Sequence, residues 1–189
     1  MSFTLGEKTA GELKIKLLED TVIPILSDTR DRTITVPGRA GAYDFGADQG
    51  PRFFDLDCGF VDEVLGTDSE LQQAVRDLAS HLCDNDGTPR DLSLVFNREP
   101  GKTWTVRYAG SLPIERTIYH AKGFFTLPLV AYDPYAYGEE KETEATITTS
   151  PGELSVEVEG NVSTPAVIVI TNQGSNTLNG FTISREVEE

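Results

Sequence analysis

Phe53-Phe54-Asp55-Leu56-Asp57-Cys58-Gly59-Phe60 alternates with period two: Phe54, Leu56, Cys58 and Phe60 fall on one face, Asp55 and Asp57 on the other. Only an extended strand with one face buried and one in water places side chains in that order, so this stretch is the clearest strand in the chain. Upstream, residues 13–26 (LKIKLLEDTVIPIL) alternate around Lys14 and Lys16 and then turn apolar with β-branched Val22, Ile23 and Ile25, which predicts two strands across a turn at Glu19-Asp20. A further strand is expected at 33–36. It runs into residues 37–46 (PGRAGAYDFG), where one proline and three glycines in ten residues require a loop or a long hairpin tip.

Downstream, Thr67-Asp68-Ser69-Glu70 has the capping-box form: the threonine hydroxyl accepts an orphan backbone N–H and the glutamate returns to the cap's own N–H. Leu71, Ala74, Val75, Leu78, Ala79 and Leu82 follow at helical spacing and make one apolar stripe. Asn85-Asp86-Gly87 offers a left-handed stop with Pro89 behind it, so a helix over 68–84 is expected to lie flat against a sheet. Strand patterns then recur at 92–96, 104–108, 114–120 and 124–132. One helix among roughly eight strands predicts a mainly β domain.

The 189 residues carry 31 Asp/Glu against 16 Lys/Arg, a formal charge of -15, while 38% are hydrophobic, so the chain is acidic yet able to build a core. The longest aliphatic run, 166–170, is far short of the ~20 residues of a membrane helix, and the start MSFTLGEKTAG has no apolar signal segment. Neither membrane insertion nor secretion by a cleavable signal is expected. The shortage of cations argues against a protein that grips nucleic-acid phosphates. A composition break falls at 138–144 (GEEKETE), which reads as an acidic linker between a domain at 1–137 (21 acids, 14 bases) and one at 145–189. Residues 138–189 hold 10 acids and 2 bases and are far more acidic per residue. Strands are expected there at 145–148, 154–158, 166–171 and 177–183, fewer than the ~7 that close a sandwich.

Motif chemistry is sparse. No phosphate cradle, dinucleotide fingerprint, H-E-x-x-H or G-x-S-x-G occurs. The Asp84-Asn85-Asp86-Gly87 tract fails as a calcium loop, because its register puts Leu82 and Ser93 at the first and last ligand positions. A zinc site would need Cys58, Cys83, His81 and His120 all to converge, so buried thiols are the expectation.

Two tracts resemble the distal tail protein (Dit) family of long-tailed siphophages and related prophages. They are residues 32–46 (RTITVPGRAGAYDFG) and residues 124–130 running into Ala131-Tyr-Asp-Pro-Tyr-Ala-Tyr137, with strands and a helix in matching order between them. The resemblance spans 1–137. It implies a β-sandwich flanked by one helix and an extended hairpin arm, assembled as a hexameric ring that joins the tail tube protein to tail tip, fibre or baseplate proteins. The place it implies is the virion tail, built in the bacterial host cytoplasm. A galectin-like β-sandwich would follow, of which residues 145–189 supply only part. An engineered truncation, a short natural variant and completion by a neighbour all stay open.

The expected function is therefore a structural hub, with no catalytic residue, cofactor or metal nominated. Pro37, Gly38, Arg39, Gly41, Tyr43 and Phe45 are the candidates for a subunit interface, because a free loop would leave two aromatics in water. Asp55 and Asp57 are candidates for a channel face past which DNA slides without specific binding. The alternative is a carbohydrate-binding module that stacks a host glycan on Trp104, Tyr132, Tyr135 and Tyr137. A glycoside hydrolase built on Asp55 and Asp57 lacks an identifiable carboxylate opposite them.

Overall fold

The computed structural model describes residues 2–60, 67–116, 123–177 and 179–184. It divides into two units, Met1–Glu142 and Thr143–Glu189. In the first, the elements run β1 (Phe3–Leu5), β2 (Lys8–Thr9), β3 (Ile15–Leu17), β4 (Thr29–Ile34), β5 (Tyr43–Gln49), β6 (Arg52–Phe60), α1 (Asp68–Leu82), β7 (Asp91–Phe96), β8 (Trp104–Tyr108), β9 (Glu115–Arg116) and β10 (Gly123–Ala131). The main sheet has the order β2-β1-β7-β8-β10-β6-β3, with β9 beside β10; β4 and β5 pair only with each other. Every pairing is antiparallel.

The main sheet curls because its two ends are consecutive in the chain. Six inter-strand gaps would hold β2 and β3 about 29 Å apart if the sheet were flat. Fully extended, the chain from Thr9 to Ile15 reaches only about 20 Å, and it is coiled into a turn in which Leu13 N donates to Thr9 O at 3.1 Å and Lys14 N to Gly11 O at 3.0 Å. Ala10 then links both ends: its N–H donates to Phe3 O and its carbonyl accepts from Ile15 N, each at 2.9 Å. The halves of the sheet face each other across one core, as a sandwich does. Phe3 and Leu5 from one end, Ile15 and Leu17 from the other, and Phe54, Leu56, Cys58, Phe60, Leu127 and Leu129 from the middle all belong to it. Phe54 and Phe96 each pack edge-on against Trp104 at 5.7 Å.

Helix α1 lies across this core. Leu71, Ala74, Leu78 and Leu82 are buried, whereas Ala79, assigned to the same stripe from sequence, is exposed. The Leu71 end lies beside Gly123 of β10. At the other end His81 Nε2 donates to the Leu5 carbonyl of β1 (2.8 Å). The capping box forms as expected, with Glu70 N donating to Thr67 Oγ1 and Thr67 N to Glu70 Oε2. The stop differs. The helix ends at Leu82, and Cys83 is extended (φ -122) rather than left-handed. Arg90 Nη2 takes the last-turn carbonyls of Ser80 (2.5 Å) and His81 (2.9 Å), which removes the need for a glycine cap. Gly87 (φ 79) instead turns the chain that follows.

Other expectations differ from the structure. Residues 22–26 form no strand, since Pro24 cannot donate to a ladder, and Val22, Ile25 and Leu26 are exposed in a bow that Arg52 of β6 holds by the Pro24 and Ile25 carbonyls. The strand placed at 33–36 lies at Thr29–Ile34, and the loop placed at 37–46 ends at Tyr43, where β5 begins. In the second unit the four expected strands are absent among the described residues, and Ile147, Leu154, Val167 and Phe181 are exposed. A strand pattern without a paired neighbour has no ladder and no buried face to stabilise it. The strand expected through His120 is present at Glu115–Arg116, and residues 117–122 lie outside the described residues.

Candidate functional site

The arm is the two-stranded β4–β5 ribbon with its tip at 35–42. Ile34 opposes Tyr43 and Thr33 opposes Asp44, then the register shifts so that Asp31 opposes Ala47 and Arg30 opposes Asp48. One extra residue has entered β5 opposite Arg32. Gly46 (φ 87) supplies the left-handed backbone of that bulge, closed by its N–H bond to Asp44 Oδ1 (2.8 Å). Opposed residues share a face. One face of the arm therefore carries Ile34, Tyr43 and Phe45 with Arg30, Arg32 and Asp48, and the other carries Thr29, Asp31, Thr33, Asp44, Ala47 and Gln49. Arg32 Nε meets Asp48 Oδ2 at 3.3 Å across the first face.

The interface candidates named from sequence come together on this arm. Arg39 N donates to Val36 O (3.2 Å), and the Arg39 guanidinium carbon lies 3.9 Å from the centroid of the Tyr43 ring, a cation–π contact. Gly38 (φ 84) and Gly41 (φ 80) turn the tip, with Pro37 preceding them. Pro37, Gly38, Arg39, Gly41, Tyr43 and Phe45 are all exposed; Tyr43 is 48% and Phe45 59% accessible, so the arm's aromatic face is uncovered within the chain.

Asp55 and Asp57 sit on the outward face of β6, Asp55 opposite Pro128 and Asp57 opposite Thr126 on β10. Thr126 Oγ1 donates to Asp57 Oδ1 at 2.6 Å. They stand on an open sheet face, a setting that gives neither carboxylate a partner across a cleft for glycoside hydrolysis. The glycan-stacking set is divided. Trp104 faces the core and is 5% exposed, so it cannot serve as a platform. Tyr132, Tyr135 and Tyr137 are exposed, with Tyr132 under the Arg107 guanidinium at 5.0 Å and Tyr137 Oη donating to Asp133 Oδ2 at 2.5 Å. That bond holds the Tyr137 phenol above its ordinary pKa.

The thiols and histidines are scattered. Cys58 is in the core, Cys83 ends the helix, His81 is bound to Leu5, and His120 lies outside the described residues. Among the described residues no three His, Cys, Asp or Glu side chains gather as metal ligands.

Residues 8–131, the whole curled sheet with helix and arm apart from β1, match the family model described as the phage tail protein RIFT-related domain. The chain belongs to that family. The phage tail protein RIFT-related fold is shared with SPP1 Dit, whose crystal structure is presented as a paradigm of the hub adsorption apparatus in phages that infect Gram-positive bacteria. The two superpose with a TM-score of 0.59 at 17% identity over 73% of this chain. The match takes in 52% of the SPP1 Dit chain, so this phage tail chain spans about half the length of the structure it resembles. No curated protein matches it.

Sequence reading missed two parts of this phage tail protein's surface. The arginines of the arm were not assigned to the same face as its aromatics, because that needs the register and the bulge. The β-branched run at 22–26 predicts a strand where the chain makes a bow. Pro24 was the available signal against it.

Proposed function

We infer that this phage tail protein is a structural, non-enzymatic hub whose copies form a hexameric ring in the virion tail, joining the tail tube to tip or baseplate proteins. The observation that carries this reading is the arm: a ribbon whose strands pair only with each other, apart from the curled main sheet, with Ile34, Tyr43 and Phe45 left in water on one face. An exposed ribbon gains its stability from packing against something else. A neighbouring subunit supplies that surface, and the ring follows from repeating one contact. The likeness to SPP1 Dit supports the same role through the shared fold. Asp55 and Asp57 would face the channel, where a negative wall repels phosphates, and residues 145–189 would be completed by further strands. The test replaces Tyr43 and Phe45 with serine in the full chain. Light scattering should find the variant monomeric with an unchanged melting curve; a variant that stays fully oligomeric shows that the arm is not the clasp.

A further inference from the structure

Among the described residues of the first unit, the most exposed aliphatic side chains are not on the arm. Val22, Ile25 and Leu26 are 79%, 89% and 70% accessible, in the segment that joins β3 to β4. That segment is pinned at both ends and in the middle. Leu18 N donates to Asp57 O (2.8 Å), and Thr21 Oγ1 bonds Leu18 O and Asp57 O. Gly50 N donates to Asp28 O (2.7 Å), and Ser27 Oγ to Gln49 Oε1 (3.0 Å). Between these ties Arg52, at the start of β6, lies over the Phe54 and Trp104 rings at 5.4 and 5.6 Å and donates through Nη2 to the carbonyls of Pro24 and Ile25. Residues 18–28 thus run beside the shorter stretch 50–57, and the surplus at 22–26 turns Val22, Ile25 and Leu26 outward while Ile23 packs against the core.

A slack loop could fold all its aliphatics inward; tied at three points, this one packs Ile23 on the core and holds Val22, Ile25 and Leu26 in water, where burial against a partner is favourable. The flanks of the bow are acidic, with Glu19, Asp20 and Asp28 all exposed. The arm has the opposite character on its aromatic face: Ile34, Tyr43 and Phe45 stand among Arg30, Arg32 and Arg39, with Asp48 the one acid there and paired to Arg32, so the face keeps a net positive charge. We propose that the bow at 22–26 is the seat for the arm of a second copy of this chain, aliphatics against Tyr43 and Phe45 and acids against the arginines. This rests on the arm-clasp reading above and adds the surface on which the arm lands. Because the two surfaces differ, the contact is head-to-tail, and it closes into a ring when the rotation per subunit divides the circle. Opposite charges fix which way the arm lies and disfavour an arm-to-arm contact between like faces.

The test uses the full chain and two routes. Ile25→Asp/Leu26→Asp should weaken self-association by roughly tenfold or more, as loss of a central apolar contact does, without moving the melting midpoint. In a Cys83→Ser background, Ile25→Cys and Phe45→Cys chains should form an intermolecular disulfide when mixed. If the Tyr43/Phe45 variant dissociates while the bow variant associates like the parent and no mixed disulfide forms, the seat is wrong and the clasp stands. If the arm variant stays fully associated, or the parent is a monomer, clasp and seat fall together. Should the bow variant fail to fold, the mixed disulfide decides alone: its formation supports the seat and its absence overturns it. Arg30→Glu/Arg32→Glu should also weaken association, and mixing with Glu19→Lys/Asp20→Lys chains should restore it; no restoration overturns the charge pairing.

Discussion

Cys58 and Cys83 differ in surroundings, and their chemistry should differ with them. Cys58 is fully buried on the inward face of β6, and burial, with the Asp57 charge beside it, pushes its thiol up to about 12. An unfolded chain ionises this thiol near 9, its ordinary value, while the folded chain keeps it neutral. The thiol's contribution to stability is therefore intact below pH 9 and declines as pH climbs from there towards 12. At neutral pH a thiol reagent should modify Cys83 in the native protein and reach Cys58 only after denaturation; equal native rates would contradict the burial. Arg52 is the other residue with a long reach. Arg52→Met keeps an apolar stem against Phe54 and Trp104 but drops the bonds to Pro24 and Ile25. The loss should cost about 1–3 kcal/mol and speed hydrogen exchange across residues 21–28, and unchanged exchange there would mean that the bow is held by something else.

Among the elements, α1 is the one whose stability is easiest to apportion. Thr67→Ala removes both the hydroxyl that accepts from Glu70 N and its bond to Glu70 Oε2, which should cost about 1 kcal/mol. Leu78→Asp puts an unpaired charge beneath the helix, where Leu78 is 2% exposed, and should prevent folding. Similar melting temperatures for the two would mean that the helix does not cover the core. This helix was legible in the sequence because its signals are local: a four-residue cap and a stripe at 3.6-residue spacing. So was β6, whose alternation matches its burial from Phe53 to Cys58, before Gly59 is covered by the Phe124 ring. The arm was legible only in part. Proline and glycine marked its tip, but its strands TRDRTI and YDFGADQ show no clean alternation, since both faces are in water and no core imposes a period. The bow is illegible for the converse reason: VIPIL is apolar enough for a buried strand, and only the distant Arg52 and the mismatch in length against β6 turn Val22, Ile25 and Leu26 outward while Ile23 stays on the core. The helix stop was misread because Arg90, beyond the turn, replaces the glycine cap. The exposed Pro37 to Phe45 candidates were found by their aromatics, whereas Trp104 was misjudged because its inward parity on β8 depends on where that strand starts.

At the scale of the whole molecule, charge and connectivity carry different consequences. In the proposed ring, Asp55 and Asp57 line the passage; replacing both with lysine should leave assembly intact and impair DNA ejection, measured as the fraction of particles that empty on triggering. Ejection at parental efficiency, or a ring in which these aspartates face outward, would remove the lubricating role. Connectivity matters earlier in the protein's life. β10 is the last strand of the main sheet in the chain, yet it lies between β8 and β6, so without it the sheet is two separate pieces, β2-β1-β7-β8 and β6-β3. Synthesis proceeds from the N-terminus, and residues 3–60 must therefore wait with unpaired edges until 123–131 have left the ribosome. Pairings such as Phe3 with Phe96 and Arg52 with Ala131 join distant parts of the chain, the kind of topology that folds slowly and exposes sticky edges while it does so. Nascent chains arrested before residue 123 should be protease-sensitive along their whole length and bind holding chaperones. Chains arrested well beyond 131 should become resistant in a single step, as the final strand slides in and joins the two pieces of the sheet at once.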